Sequence, residues 1–345
     1  MKRIIISILF FISIGCYSQT NEYVKTFDWL VETFRQNDAG YQYIIDKKGE
    51  KDYSKFTEDI KSRVKDITTD EEFVELAEEW LHYFRKAHIE FGLKGKPVRN
   101  DSKSNFNDNR LHLDKLSDKT LYFRIPTFAY ESKVDIDSVI NANKDLIAST
   151  PNLIIDIRNG TGGSDASFQE LLPFIYTSPI RNAGMLLKGS ELNAQGFENY
   201  AKQTNDSYLN EIAKSLRDNK GEFVPMDSSD KTSIIKFDAV LPYPKRIAIM
   251  IDAGNVSTDE QFLIYAKQSW KVKLFGRTTK GGIDISNLNF VYSPDKKYFL
   301  VYAMSKSKRI PHFTIDDIGL QPDFFIDEEI ADNDWIEYTR SIVEQ

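Results

Sequence analysis

One serine stands where the sequence changes from a buried strand to a helix. The apolar run Ile247–Ile251 has the length and composition of a buried strand, and Gln261–Gln268 is predicted to be helical. Ser257 lies between them, after a sharp break at Ala253–Asn255. A turn of this kind exposes a hydroxyl, and the start of the helix offers backbone N–H groups to a developing oxyanion. The position therefore suits the nucleophile of an acyl-transfer reaction.

The alternative role for Ser257 is that of a helix N-cap. Ser, Thr and Asp are the usual N-cap residues, and the segment Ser257–Glu260 contains all three. Taken by themselves, these four residues favour a cap over a nucleophile, so the rest of the chain has to decide.

A glycine-rich turn follows a second predicted strand. The apolar run Asn152–Ile157 leads into Asp156–Gly163, which has the sequence DIRNGTGG. This segment has neither the Gly-Lys-Ser/Thr ending of a nucleotide P-loop nor GxGxxG spacing, so nucleotide binding has little support. Free N–H groups at such a turn can instead hold an oxyanion.

Composition excludes several classes of function. The chain has 345 residues, of which 41% are hydrophobic, enough for a sizeable core. The formal net charge is −7 and no run of Lys and Arg is longer than two residues, so nucleic acid is not expected as a partner. No His, Asp or Glu pattern has zinc spacing, and Cys16 is the single cysteine. We expect no metal, no cofactor and no disulfide.

The N-terminus predicts export. Two basic residues precede the apolar run Ile4–Ile14, and small or polar residues follow, which is the pattern of a signal peptide over residues 1–19. The run is too short to serve as a membrane anchor. Cys16 ends a segment that resembles a lipobox, so a lipidated Cys16 and cleavage after Ser18 or Gln19 both stay open. We expect the protein to be periplasmic or associated with the outer membrane.

The remaining pattern divides the chain into domains. Residues 20–94 are predicted to form an N-terminal helical domain, in which Thr68–Glu72 has the composition of a helix start. Residues 95–118 are polar and predict an exposed linker. In residues 119–345 strands alternate with helices, which indicates an α/β core. The polar stretch Ser190–Asp230 is predicted to be an insertion over that core.

Four segments together resemble the tail-specific, or C-terminal processing, serine peptidases. Asp156–Gly163 resembles the D-L-R-N-N-x-G-G segment of that family, and Ser257–Glu260 resembles S-A-S-E, whose first residue is the nucleophile. Gly276–Gly281 resembles G-E-x-T-x-G, and Gly319–Asp323 resembles G-[VI]-x-P-D. The segments occur in the order found in the family and cover Tyr122–Asp327.

The resemblance implies a histidine base rather than a lysine. The bacterial processing peptidases carry a lysine directly after their G-E-x-T-x-G segment, where this chain has Gly282, and the usual PDZ domain is missing. The chain therefore resembles the branch similar to the tricorn protease core, in which a histidine of the N-terminal helical region is the base. His88 stands at that place. Lys280 is the alternative base, if a local shift brings it to the site.

The same resemblance implies the fold and the chemistry. The expected fold is an α/β core of stacked ββα units, shared with ClpP and crotonase, with an N-terminal helical domain. The expected activity is hydrolysis of a peptide or protein substrate. Ser257 attacks the scissile carbonyl and His88 takes its proton, a transfer that a neutral imidazole performs near pH 7.

The remaining site residues are oxyanion donors and acids. The N–H groups of Gly162 or Gly163 and of Thr258 are expected to stabilise the tetrahedral oxyanion. Asp316, shortly before the G-x-x-P-D segment, is expected to orient the imidazole, although a place in a solvated loop is an equal alternative for it. Glu260 is the next candidate for the acid, or lines the site instead.

Two other functions stay open at this point. The first is a catalytically inactive relative that binds peptides or lipids, which the missing lysine at position 282 and the missing acid before His88 favour. The second is a crotonase-type acyl-thioester enzyme, which export and the serine-centred motif disfavour.

Overall fold

The computed structural model describes residues 22–96, 106, 108–227 and 232–345. The predicted signal peptide with Cys16, and much of the predicted polar linker, lie outside the described residues.

Helices and strands alternate along most of the chain. The helices are α1 (22–37), α2 (Tyr41–Lys48), α3 (Glu50–Val64), α4 (Asp70–His82), α5 (Lys133–Ala142), α6 (Lys144–Ile147), α7 (Leu172–Ile175), α8 (Glu191–Thr204), α9 (Tyr208–Asp218), α10 (Thr258–Ala266) and α11 (Trp335–Val343). The strands are β1 (Glu90–Leu93), β2 (His112–Lys115), β3 (Thr120–Arg124), β4 (Asn152–Asp156), β5 (Ile180–Asn182), β6 (Met185–Lys188), β7 (Phe223–Pro225), β8 (Ser233–Ile235), β9 (Arg246–Ile251), β10 (Val272–Gly276), β11 (Ile285–Tyr292), β12 (Tyr298–Ser307) and β13 (Phe324–Phe325).

By its contacts the chain forms two compact units. The first consists of Met1–Arg99, Met185–Ser229 and Ile285–Ser307, and the second of Asn100–Gly184, Asp230–Asp284 and Lys308–Gln345. The predicted helical domain of residues 20–94 is thus part of a larger unit, which two later segments complete. They join it because β1 pairs with β12, a partner about two hundred positions away that local periodicity does not reveal.

The first unit packs helices α1–α4 around an antiparallel sheet. Its strand order is β1-β12-β6-β7, with β11 also paired to β12. The predicted start of α4 is confirmed, because the Thr69 hydroxyl accepts the Glu72 N–H (3.2 Å) and the Glu72 carboxylate accepts the Thr69 N–H (3.1 Å). The helices bury a cluster of aromatic side chains, made up of Phe27, Phe34, Trp80 and Phe84.

The second unit is built on a six-stranded sheet of order β13-β10-β9-β4-β3-β2. The pairs from β3 to β13 are parallel, and β2 is antiparallel at one edge. Because side chains alternate along a strand, Ile155 and Ile249 join the core that contains α10, while Ile154 and Met250 pack with Trp335 of α11. The carboxyl ends of β4 and β9 therefore deliver the glycine-rich turn and Ser257 to the same edge of the sheet.

The predicted α/β class is confirmed, with local corrections. The helix after Ser257 begins at Thr258 rather than Gln261. A 3-10 helix over Asp165–Leu171 leads directly into α7. The predicted linker contains strand β2, and the predicted insertion Ser190–Asp230 holds α8 and α9 in the first unit. No helix of the described residues combines the length and the apolar character needed to cross a membrane.

Candidate active site

Ser257 has a strained backbone and does not cap α10. Its φ is 62° and its ψ is −121°, and its side chain makes no capping hydrogen bond to the helix. A non-glycine residue in such a conformation costs on the order of 1–3 kcal/mol and persists only where its surroundings enforce it. Nucleophiles at strand-to-helix turns share this strain. The capping alternative is therefore not supported.

Glu260 enforces that turn through the loop that follows β10. Its carboxylate accepts the Thr279 hydroxyl (2.5 Å) and the N–H groups of Gly281 (2.8 Å) and Gly282 (2.7 Å). The carbonyl of Gly282 in turn accepts the N–H of Ser257 (3.1 Å). One buried carboxylate thus fixes the loop that holds the backbone of the serine.

Burial makes the charged form of Glu260 less favourable, and hydrogen bonds to its carboxylate compensate for part of that effect. Burial raises the pKa of its carboxyl, and interactions with Thr279 and with the backbone of Gly282, Gly281 and Ser257 offset only part of that rise. These donors favour the second of its two predicted roles, that of lining the site, and its part in the catalysis stays a prediction.

Gly162 packs directly against Ser257. A Cβ atom on Gly162 would lie 2.7 Å from the Ser257 Cβ and 2.9 Å from the carbonyl oxygen of Val256, and the φ of Gly162 is +85°. Only glycine meets both conditions. The Gly162 N–H is turned towards the carboxylate of Asp259, where it offsets part of the rise in pKa that burial causes.

Two other N–H groups are suited to an oxyanion. Gly163 pairs with Phe128 in a parallel bridge that uses the N–H of Ser164 (2.9 Å to the Phe128 carbonyl) and not its own. Thr258 is the first residue of α10, where a helix leaves its N–H without an internal acceptor. Within the described residues neither N–H has a hydrogen-bond acceptor. These two N–H groups are therefore available to an oxyanion, and the oxyanion role of Gly162, Gly163 and Thr258 stays a prediction.

Asn255 links the two turns beneath the serine. Its amide donates to the carbonyl of Ile157 (2.6 Å) and to the Asp259 carboxylate (3.0 Å), and its oxygen accepts the N–H of Asp252 (2.8 Å). Complete burial raises the pKa of Asp259 to about 7. Asp259 is therefore largely protonated in weakly acidic solution, which makes the interior below Ser257 sensitive to pH.

The DIRN part of the glycine-rich segment has a structural role. The Asp156 carboxylate accepts from Arg158 (2.7 Å to Nη2) and from the Tyr122 hydroxyl (2.8 Å). The Arg158 guanidinium lies 3.7 Å from the ring centre of Phe106, and the Asn159 N–H donates to Asp252 (3.0 Å). This buried network orients the turn that precedes the glycines, while Asn159 Oδ1 and Asp252 Oδ2 have no hydrogen-bond partner among the described residues.

Asp316 braces the loop beyond Gly282. Its Oδ1 accepts the N–H groups of Ile283 (2.8 Å) and Asp284 (2.7 Å). The Asp284 carboxylate accepts the N–H groups of Ile315 (2.5 Å) and Asp316 (2.9 Å) and pairs with Arg309. Asp316 is therefore half-buried where hydrogen bonds join two loops, and it does not lie in a solvated loop. Its action on an imidazole stays a prediction.

His88, in the first unit, has a fixed tautomer. Its Nδ1 lies 2.7 Å from the carbonyl oxygen of Ile285. Because a carbonyl only accepts, Nδ1 carries the hydrogen and Nε2 is the basic nitrogen. The side chain of Arg85 holds the segment by donating to the carbonyls of Ala87 (3.1 Å) and His88 (3.2 Å), and it forms a buried bidentate pair with Asp38. The pairing of His88 with Ser257 stays a prediction.

The alternative base Lys280 and the three remaining histidines lie in different surroundings. Lys280 is exposed, as are His82 and His312. The ring nitrogens of His112 lie 2.9 and 3.0 Å from the carboxylates of Asp114 and Asp108. The described residues contain no group of three or more side chains able to hold a metal ion.

The sequence pattern of Peptidase family S41 matches residues 119–326, more than half of the chain. The protein belongs to this family of serine peptidases. Its α/β unit is accordingly a ClpP-like core, and the predicted family is confirmed. The branch within the family, defined by the missing PDZ domain and lysine, stays a prediction.

Solved structures agree at the level of the fold. A protein of Parabacteroides merdae, named as a putative peptidase, is similar with 13% identity and a TM-score of 0.63, covering 93% of this chain and 96% of that one. A lipoprotein of Streptococcus agalactiae is similar with 15% identity and a TM-score of 0.52, with the same coverage of 93% and 96%. No curated protein sequence matches the chain.

Proposed function

We propose that the protein hydrolyses peptide bonds with Ser257 as its nucleophile and His88 as its base. The observation that carries this proposal is the strained backbone of Ser257, which Gly162 and the loop at Gly282 enforce. Neither an N-cap nor a binding surface requires a strained backbone. A nucleophile at a strand-to-helix turn does, because the strained conformation exposes its hydroxyl.

The reaction follows from the roles of these groups. Ser257 Oγ attacks the scissile carbonyl carbon while its proton passes to Nε2 of His88. The N–H groups of Gly163 and Thr258 stabilise the oxyanion, and the imidazolium then protonates the leaving amine. A water molecule attacks the acyl-enzyme with His88 again as base, which releases the new carboxyl end and restores Ser257.

A histidine base fits the surroundings better than a lysine base. The Ile285 carbonyl gives His88 the tautomer that a general base needs. A lysine base requires burial that favours its neutral amine, and Lys280 is exposed. Asp316 is the acid that we assign to the imidazolium, and the processing of carboxy-terminal ends is the type of cleavage that we propose.

The same proposal includes export. The basic start and the apolar run Ile4–Ile14 support a periplasmic or outer-membrane location, with Cys16 as the residue that a lipid anchor would modify. The substrates would then be peptides or proteins outside the cytoplasm. The alternative of an inactive peptide- or lipid-binding relative rests on Gly282 and on the missing acid before His88, and the described residues add no observation in its favour.

The test is hydrolysis of casein by the wild type and by Ser257→Ala. Wild-type turnover should fall to background in the variant, while the free energy of unfolding stays nearly the same, because the hydroxyl makes no capping bond. Wild-type turnover in the variant would show that Ser257 is not the nucleophile. A lost fold in the variant would return Ser257 to a structural role.

A further inference from the structure

A cavity of about 310 Å³ opens in the second unit beside α10. Basic side chains of three different segments border it: Arg181 from β5, Lys267 just after α10, and Arg309. Arg309 is 8% exposed and is paired with Asp284 at 3.0 Å, so its charge is compensated. Arg181 and Lys267 are exposed and have no carboxylate partner among the described residues. The cavity is therefore positive, in a chain whose formal net charge is −7.

The rest of the lining is apolar, with one buried amide. Ile264, Phe313 and Leu320 supply the apolar surface. Gln261 is 6% exposed, and no acceptor satisfies its Nε2 among the described residues. Burial raises the pKa of Tyr265, and the nearby Gln261 amide offsets part of that rise, but the pair falls short of hydrogen-bond geometry. A half-turn of this amide would offer the cavity either a donor or an acceptor.

The position of the cavity relates it to the nucleophile. The Gln261 N–H donates to the carbonyl of Ser257 at 3.0 Å, so the cavity begins one helical turn from the serine. At the rise of an α-helix, the lining from Gln261 to Gln268 lies about 6–16 Å along the axis from Ser257. An extended peptide covers that distance with about two to five residues. Gln268 also fixes the rim, by accepting the N–H of Arg181 (2.8 Å) and donating to its carbonyl (2.9 Å).

We propose that this cavity binds a carboxylate of the substrate peptide, together with an adjacent apolar side chain, a few residues from the scissile bond. Arg181 and Lys267 are the groups that attract the carboxylate, and Ile264 and Phe313 contact the apolar side chain. The proposal deepens the peptidase function and rests on it. The carboxylate is either that of the free carboxy-terminus or that of an acidic side chain, and the two sources are separable by experiment.

The test measures binding and does not require turnover. The full-length Ser257→Ala protein is titrated into three fluorescein-labelled hexapeptides, and anisotropy gives each Kd. The first probe is five alanines and a leucine with a free carboxy-terminus, and the second is the same peptide with a terminal carboxamide. The third keeps the carboxamide and has one internal alanine replaced by aspartate. The titrations are repeated with Arg181→Gln and Lys267→Gln added together, and with the exposed Lys144→Gln as the matched control.

A carboxylate probe should bind about tenfold more tightly than the uncharged probe, as expected for one carboxylate facing two partly solvated cations. The double variant should lose that difference, and Lys144→Gln should keep it. Preference for the first probe identifies the carboxy-terminus as the source, and preference for the third identifies an acidic side chain. Equal Kd values for all probes, no measurable binding, or a preference that survives the double variant would overturn the proposal. Casein hydrolysis by the wild type decides the peptidase function separately.

Discussion

Replacing Glu260 by glutamine separates a positioning role from a chemical one. The carboxylate accepts three hydrogen bonds with two oxygens, from Thr279, Gly281 and Gly282. Glutamine has one acceptor oxygen, so its amide nitrogen must face an N–H or O–H donor. The loop then loses at least one charge-assisted bond and leaves a buried donor unsatisfied.

The expected loss of stability is about 2 kcal/mol. A hydrogen bond to a charged group contributes about 1.5–3 kcal/mol. Part of that loss is offset, because the neutral amide avoids the burial cost that raises the pKa of Glu260. Activity should fall about 10- to 100-fold, since the Gly282 carbonyl holds the N–H of Ser257 and small displacements of a nucleophile are costly.

Urea unfolding and casein hydrolysis of Glu260→Gln measure the two effects together. Glu131→Gln, at an exposed position, is the matched control and should change neither. The reasoning is refuted if Glu260→Gln unfolds like the wild type and yet loses as much activity as Ser257→Ala. That result would make Glu260 a participant in the chemistry.

Three further outcomes are expected. The raised pKa of Asp259 means that ionisation disfavours the folded state, so stability should fall by up to about 4 kcal/mol as pH rises from 4 to 8. Asp259→Asn mimics the protonated acid, so its free energy of unfolding in urea should be nearly the same at pH 5 and pH 8. A variant that loses as much stability between these pH values as the wild type would contradict the assignment. Gly162→Ala places a Cβ 2.7 Å from the Ser257 Cβ and should lower kcat at least about 100-fold, whereas wild-type kcat would refute the close packing. In casein hydrolysis, His88→Ala should lose most activity and Lys280→Ala little, because only the first removes the proposed base; the reverse order of the two variants would make Lys280 the base.

The buried strands of the second unit could be predicted from sequence because they are apolar on both faces. Ile247–Ile251 and Asn152–Ile157 match β9 and β4 to within a residue. The start of α10 could not be predicted, because Asp259 and Glu260 are buried polar residues that break the expected apolar pattern. Strand β1 was missed since its partner β12 is distant in sequence.

Only those parts of the candidate site that consist of side chains could be predicted from the sequence. Ser257 follows from a strand, a break and a helix in sequence. The other groups that position these side chains belong to the backbone. The Ile285 carbonyl accepts from His88, and the Gly282 carbonyl accepts from the N–H of Ser257. Because almost every residue carries the same backbone donor and acceptor, the residue types in the sequence do not show which backbone groups form the site.

The central claim is that Ser257 is an activated nucleophile, and covalent labelling tests it most directly. The full-length wild-type protein is treated with a fluorophosphonate and the modified peptide is identified by mass spectrometry. The proposed mechanism predicts one adduct, on Ser257, that is lost in Ser257→Ala and strongly slowed in His88→Ala. No adduct, or an adduct on another residue that Ser257→Ala leaves unchanged, would contradict it.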